Sequence, residues 1–270
     1  MRKQILLVIA IMLLLTGMAE VSEAALTTIG TVTYEGSDYN LIWDDNNNGN
    51  SVVWLDYSNA PDSWPTQNAW AAGLASVLTN ISTPGYTVTW DDDAWRLPGT
   101  VDGHHEFGLD GNTTAGYNIT SSEMGHLFYE ELGNLGFSAA DGTAPQSGWG
   151  LNNTGDFNYL SAPWYWSATD YAELPINAWA FRMVSGLQSL RDKDDAVPGF
   201  TASAGIGIAP IDINLDLSIE NIAYINHDYY GLAVRSGQVS AVPVPGAVWL
   251  LASGLAGLGA LRRAGSGHPS

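Results

Sequence analysis

Cysteine is absent from this 270-residue chain. No disulfide can staple it, no thiol can act as a nucleophile, and no cysteine-ligated zinc site can form. A packed core must therefore supply the stability, and eleven tryptophans offer large apolar side chains for one. Basic residues are scarce too, with nine Lys and Arg against 28 Asp and Glu. Four of the nine (Arg2, Lys3, Arg262, Arg263) sit near the two ends, so residues 25–241 hold five basic and 26 acidic side chains, a formal charge of −21. That balance repels nucleic acid and anionic lipid, since no basic stripe exists to neutralise phosphates, and it suits divalent cations or a salty exterior. Common catalytic signatures are missing as well. The chain has no Gly-x-Ser-x-Gly elbow and no His-Glu-x-x-His zinc helix.

Long apolar runs are confined to the two ends. Residues 5–15 follow the charged pair Arg2-Lys3, and Ser22-Glu23-Ala24 places small residues at the −3 and −1 positions of a cleavage site. This predicts a secretory signal over 1–24; a permanent membrane helix is the alternative. At the other end, residues 246–261 carry no charge, follow Val242-Pro243-Val244-Pro245 and stop at Arg262-Arg263, with a short tail over 264–270. Counted from Val242, the apolar stretch approaches the roughly 20 residues that a spanning helix needs. The arginine pair would stay in the cytoplasm by the positive-inside rule. A buried core helix is the competing reading, but with no polar face it would need a large partner surface.

Residues 25–241 suffice for one domain with a sizeable core. A hairpin is predicted from 31–34 and 39–43 around Glu35-Gly36-Ser37-Asp38, then a polar loop over 44–49, then a strand over 52–55. Trp70, Leu74, Val77 and Leu78 share a helical face over 65–79, with Pro65 in the first turn. Residues 86–90 alternate like a strand. Thr120-Ser121-Ser122-Glu123 reads as a capping box, with Thr120 as N-cap of a second helix whose buried face is Met124, Leu127, Phe128 and Leu132. A long loop is predicted over 139–158, strands over 164–169, 178–184 and 230–235, and a stretch of mixed character over 192–228.

The tail, with its Val242-Pro243-Val244-Pro245 segment, apolar helix and Arg262-Arg263, resembles the PEP-CTERM sorting signal in its VPxPA-like variant. That resemblance implies export by the secretion machinery and transient anchoring in the inner membrane of a Gram-negative bacterium. Recognition by exosortase and delivery to the cell surface or extracellular matrix would follow. A second resemblance rests on Trp43 with Trp54-Leu55-Asp56, on Trp95-Arg96-Leu97-Pro98, on Tyr165-Trp166-Ser167, on Trp179, and on Val234-Arg235, in that order. The series is similar to the Lcl C-terminal domain family of bacterial surface proteins. What it implies is an α+β, C-type-lectin-like domain over 25–241. Two main helices would pack on a twisted, mostly antiparallel sheet with long loops, flanked by the signal helix and the transmembrane helix. Trp95, Leu97, Pro98, Trp166 and Trp179 would then be structural, with Arg96 and Arg235 as satisfied, partly buried charges, a ligand-binding role for the two arginines being the alternative. Formylglycine-generating relatives of this superfamily use cysteine chemistry, which this chain cannot perform.

Several clusters could carry chemistry. Asp44-x-Asn46-x-Asn48-Gly49 matches the opening of a calcium loop, with Asp56 beyond it, although the twelfth position is Leu55 instead of Glu; a solvated Asn-rich turn is the alternative. His104-His105-Glu106 and Glu123-x-x-His126 lack the partners that zinc or di-iron sites require. Trp149, Tyr171, Tyr229 and Tyr230 lie near polar segments where they could stack on sugar rings. The expectation is a non-enzymatic surface protein that binds extracellular polysaccharide, without a cofactor other than calcium. Its alternatives are an envelope polysaccharide hydrolase with a carboxylate pair (Glu106 with Asp110, or Glu130 with a loop aspartate) and a purely structural biofilm component.

Overall fold

The structure is a computed structural model that describes residues 26–161, 163–193 and 228–242. The predicted signal segment, the tail from Pro243 onward with its apolar helix and arginine pair, and most of the 192–228 stretch lie outside the described residues. Strands dominate. In chain order they are β1 (Leu26–Tyr34), β2 (Ser37–Asn47), β3 (Asn50–Asp62), β4 (Thr79–Ser82), β5 (Tyr86–Trp90), β6 (Phe107–Gly108), β7 (Ala115–Gly116), β8 (Tyr165–Asp170), β9 (Asn177–Arg182), β10 (Leu187–Asp192) and β11 (Tyr229–Ala241). Helix α1 spans Trp64–Val77, whereas α2 is a single turn, Glu123–His126, continued by a π-helical turn over Leu127–Glu131.

The strands form one 11-stranded mixed sheet in the order β4-β1-β2-β3-β11-β8-β9-β10-β7-β6, with β5 paired to the far half of β11. Strand β11 joins its parts. Its first half runs antiparallel to β3 (Tyr229 opposite Asp62 through Ser236 opposite Val52), its second half antiparallel to β5, and Tyr230 meets Tyr165 of β8 in parallel.

The centre of the sheet is buried on both faces, which explains its apolar runs. In β3, Val52 and Trp54 enter one core with Ile42, Met124, Leu127, Phe128 and Phe181, while Val53 and Leu55 enter another with Val32, Leu41, Leu74 and Trp95. Strand β11 divides the same way, Leu232 and Val234 facing the first core and Ala233 the second. A third cluster sets Ala71 of α1 against Trp166, Ala178 and Ala180.

These strands overturn the expected C-type-lectin-like α+β arrangement with two main helices. Among the described residues only α1 is a helix of ordinary length. The second predicted helix makes one α-turn and then widens into the π-helical turn, closed by Leu132 N donating to the Leu127 carbonyl. Ser122, not Thr120, is the N-cap, its hydroxyl accepting from Gly125 N at 3.0 Å. The Glu123 carboxylate is not folded back onto a cap but accepts two bonds from Arg96 (2.6 and 2.7 Å) and one from Gly99 N. The predicted polar loop over 44–49 is mostly strand, because Asp44 and Asn47 turn inward and are fully buried, which leaves only Asn48-Gly49 to reverse the chain. Both of those residues have positive φ (52° and 83°), the mirror-type turn that matches strand twist and that glycine adopts without strain. Residues 79–82, which read as the end of a helix, form the edge strand β4 against β1. Among the described residues no helix is long and apolar enough to cross a membrane.

Candidate functional site

The tip of the β2–β3 hairpin docks on the start of α2. Asn47 donates to the Glu123 carbonyl (3.1 Å) and Asn48 to the Ser122 carbonyl (3.4 Å). That contact places Asp44 beneath the π-helical turn, where it meets His126 and Glu131: one carboxylate oxygen from each acid and one imidazole nitrogen all lie within 4.8 Å of one another. His126 Nε2 is 3.2 Å from Glu131 Oε1. The turn makes this pair. Residues five apart on an α-helix point about 140° away from each other, whereas an i→i+5 turn, closed here by Leu132 N donating to the Leu127 carbonyl at 2.9 Å, returns them to one side.

The site is dry. Asp44 is fully buried, and the side chains of Glu131 and His126 are 0% and 12% exposed. Asp44 Oδ2 accepts from Asn47 Nδ2 (2.8 Å) and Trp54 Nε1 (3.2 Å), but Asp44 Oδ1 and Glu131 Oε2 are buried with no hydrogen-bond partner. Burial is the main cause that pushes the Asp44 carboxyl up to about 6; Asn47 pulls it back and the Glu131 charge adds to the rise. The His126 imidazole is raised from its ordinary value, first by its hydrogen bond to Glu131 and with burial opposing. Two carboxylates facing one imidazole leave negative charge uncompensated in a low-dielectric pocket, a costly arrangement unless a proton or a cation enters it.

The four residues read as a calcium loop are not gathered. Asp44 faces inward, while Asn46 and Asn48 are exposed. Asp56 is also fully buried and near the opposite end of the hairpin, where its carboxylate accepts from Asn158 N, Tyr159 N and Asn158 Nδ2 at 3.0–3.1 Å. The four proposed stacking aromatics are likewise dispersed. Tyr171 and Tyr229 are buried, Tyr230 packs against the first core, and Trp149 stands half-buried with Phe137 edge-on at 5.0 Å. Trp95, Leu97, Pro98, Trp166 and Trp179 are buried. Arg235 donates to the Asp92 carbonyl and lies over the Trp90 ring at 4.5 Å. Of the carboxylates offered as acid/base partners, Asp110 closes its own turn by accepting from Asn112 (3.2 and 3.0 Å), and Glu106 and Glu130 are exposed. The sorting residues Pro243, Val244, Pro245, Arg262 and Arg263 lie outside the described residues. Val242 is exposed, its N–H donating to the Gly85 carbonyl at 2.8 Å.

A second feature escapes sequence inspection. Tyr39 on β2, Tyr57 on β3 and Tyr159 in the loop before β8 pack edge to face, with centroids 4.9 Å apart for Tyr39–Tyr57 and 5.2 Å for Tyr39–Tyr159. Tyr34 and Trp70 back this row from beneath, each touching Tyr57. Tyr159 is 48% exposed, whereas Tyr39 and Tyr57 are half-buried against the second core, so the row forms an aromatic ledge that leads from that core to the surface. The signal for the first pair is the hairpin register, since Leu41 opposite Leu55 sets Tyr39 beside Tyr57. Nothing in local sequence announces Tyr159, which is brought in by Asp56. No protein-family model, curated protein or solved structure matches this chain.

Proposed function

We propose that this chain is an exported, exosortase-sorted surface protein whose domain binds extracellular polysaccharide through the ledge of Tyr39, Tyr57 and Tyr159, without catalysis. The ledge carries the reading. It offers rigid, amphipathic rings with polar tips, the side chains that engage the apolar faces of sugar rings at little conformational cost. The strongly acidic surface favours neutral or cation-bridged glycans over anionic ones. The apolar segments at both ends and the resemblance of the tail to a sorting signal supply the extracellular setting in which such a ligand occurs.

The test is co-sedimentation of the full-length chain, in detergent, with a panel of bacterial exopolysaccharides. Retention of the wild type and loss of at least several-fold in Tyr159→Ala support the reading, because Tyr159 is exposed and its removal leaves the core intact. Shortened polysaccharide in the supernatant would establish the hydrolase alternative. Absence of retention on every polysaccharide would leave the structural role in biofilm.

A further inference from the structure

We infer that Asp44, His126 and Glu131 form a binding site for one divalent transition-metal ion of the zinc class. Three observations converge. The donor atoms come from two carboxylates and an imidazole and lie within 4.8 Å of one another. Both acids have side chains fully removed from solvent, and each keeps a buried oxygen, Asp44 Oδ1 and Glu131 Oε2, that no protein donor reaches. The pocket is built: Asn47 and Trp54 fix the Asp44 carboxylate, and a π-helical turn, a feature found often at functional sites, swings Glu131 onto His126.

The chemistry selects the ion. Zinc bonds of about 2.0–2.1 Å to nitrogen and oxygen place tetrahedral donors about 3.3 Å apart. The His126–Glu131 separation of 3.2 Å already has that value, and the Asp44 donor, within 4.8 Å of both, closes in to complete the set. A divalent ion cancels the two carboxylate charges, and bidentate coordination by Glu131 brings its orphan Oε2 into the shell beside Oε1. Calcium instead takes six to eight oxygen donors, and an imidazole does not serve it. With three protein donors the ion retains one position for water, and His126 is the member nearest to solvent. This site is independent of the tyrosine ledge, and neither reading depends on the other.

The experiment uses the full-length chain in detergent, stripped with a chelator. Zinc chloride is titrated by calorimetry and by thermal melting, and cobalt chloride by visible absorption. One equivalent of zinc per chain is expected, with a Tm that rises and returns on chelation, and cobalt should give the absorption of a mixed imidazole–carboxylate site. Calcium and magnesium at equal concentration should leave the Tm unchanged. Asp44→Asn and Glu131→Gln keep size and remove one charge, and each should weaken zinc binding at least about tenfold because a ligand is lost. Glu173→Gln, at the exposed His104–Glu173 pair, should bind as the wild type does. Absence of a zinc-dependent Tm shift and of the cobalt absorption in the wild type overturns the inference. So does an equal response to calcium, or loss of binding in Glu173→Gln with retention in Glu131→Gln. The cobalt spectrum of the wild type decides the matter even where a variant does not fold.

Discussion

Asp56 shows what a single buried charge does in this molecule. Its carboxylate collects two backbone N–H groups and one side-chain amide from Asn158 and Tyr159, and so it pins a loop about a hundred residues further along the chain onto β3. Replacing it by alanine strands those donors in the interior. Asp56→Ala should lower the unfolding free energy by about 2–4 kcal/mol in urea titrations. It should also reduce polysaccharide retention, since Tyr159 loses its anchor. A loss of stability with undiminished retention would separate the ledge from the loop. At this scale the sequence offers oxygen atoms but not their direction. Asp44, Asn46 and Asn48 alternate as calcium ligands would, with Asp56 beyond them, yet a register shift between Asp44 and Asn47 turns Asn47 inward in place of Asn46, and the cover comes from residues 122–131 and 157–160. The arginine of the Trp95-Arg96-Leu97-Pro98 block is readable as a charge seeking a carboxylate. That its partner would be Glu123 is not, because the same glutamate fits a capping box equally well.

The second helix depends on close approach more than on helical propensity. Gly125 lies so near the Ile119 carbonyl that a Cβ would collide with backbone, and its N–H is the one that the Ser122 hydroxyl accepts. Gly125→Ala should therefore push α2 off its seat and destabilise the protein by at least about 2 kcal/mol. Ser122→Ala, which removes only the cap, should cost about 1 kcal/mol. Equal losses for the two would show that the contact with Ile119 is unimportant. The apolar positions of this element, Met124, Leu127, Phe128 and Leu132, are readable from spacing and all are buried. The pairing of His126 with Glu131 is not, because an i,i+5 contact violates the helical period on which such reading rests. Strands show the same division. Residues 52–55 form a contiguous apolar run, which marks a strand covered on both faces. Residues 44–47, equally part of the sheet, are polar and read as loop.

At the scale of the whole molecule, β11 closes onto β3 across roughly 170 residues of intervening chain and then changes partner to β5. Such pairings leave no local trace, and for that reason the hairpin of β1 and β2 is readable from sequence while the 11-stranded mixed sheet is not. Strand β11 ends at Ala241, and Val242 is still hydrogen-bonded to Gly85, so the proline segment begins where the sheet stops. A protease acting just beyond that point would release the sheet without breaking a described strand. A hydrophobic segment alone argues for a permanent anchor. The Val242-Pro243-Val244-Pro245 run before it argues for processing, because two prolines favour an extended, accessible backbone ahead of any helix. Residues 264–270 extend past Arg262-Arg263, but they are uncharged apart from His268 and should not reverse the orientation proposed from the arginine pair. In a Gram-negative host with exosortase, surface-extracted protein should therefore end near Pro245, and in an exosortase deletion it should end at Ser270 and stay with the inner membrane. Mass spectrometry of the C-terminal peptide reads both. Recovery of Ser270 from the extracellular fraction of the intact host would refute processing and leave a plain membrane anchor.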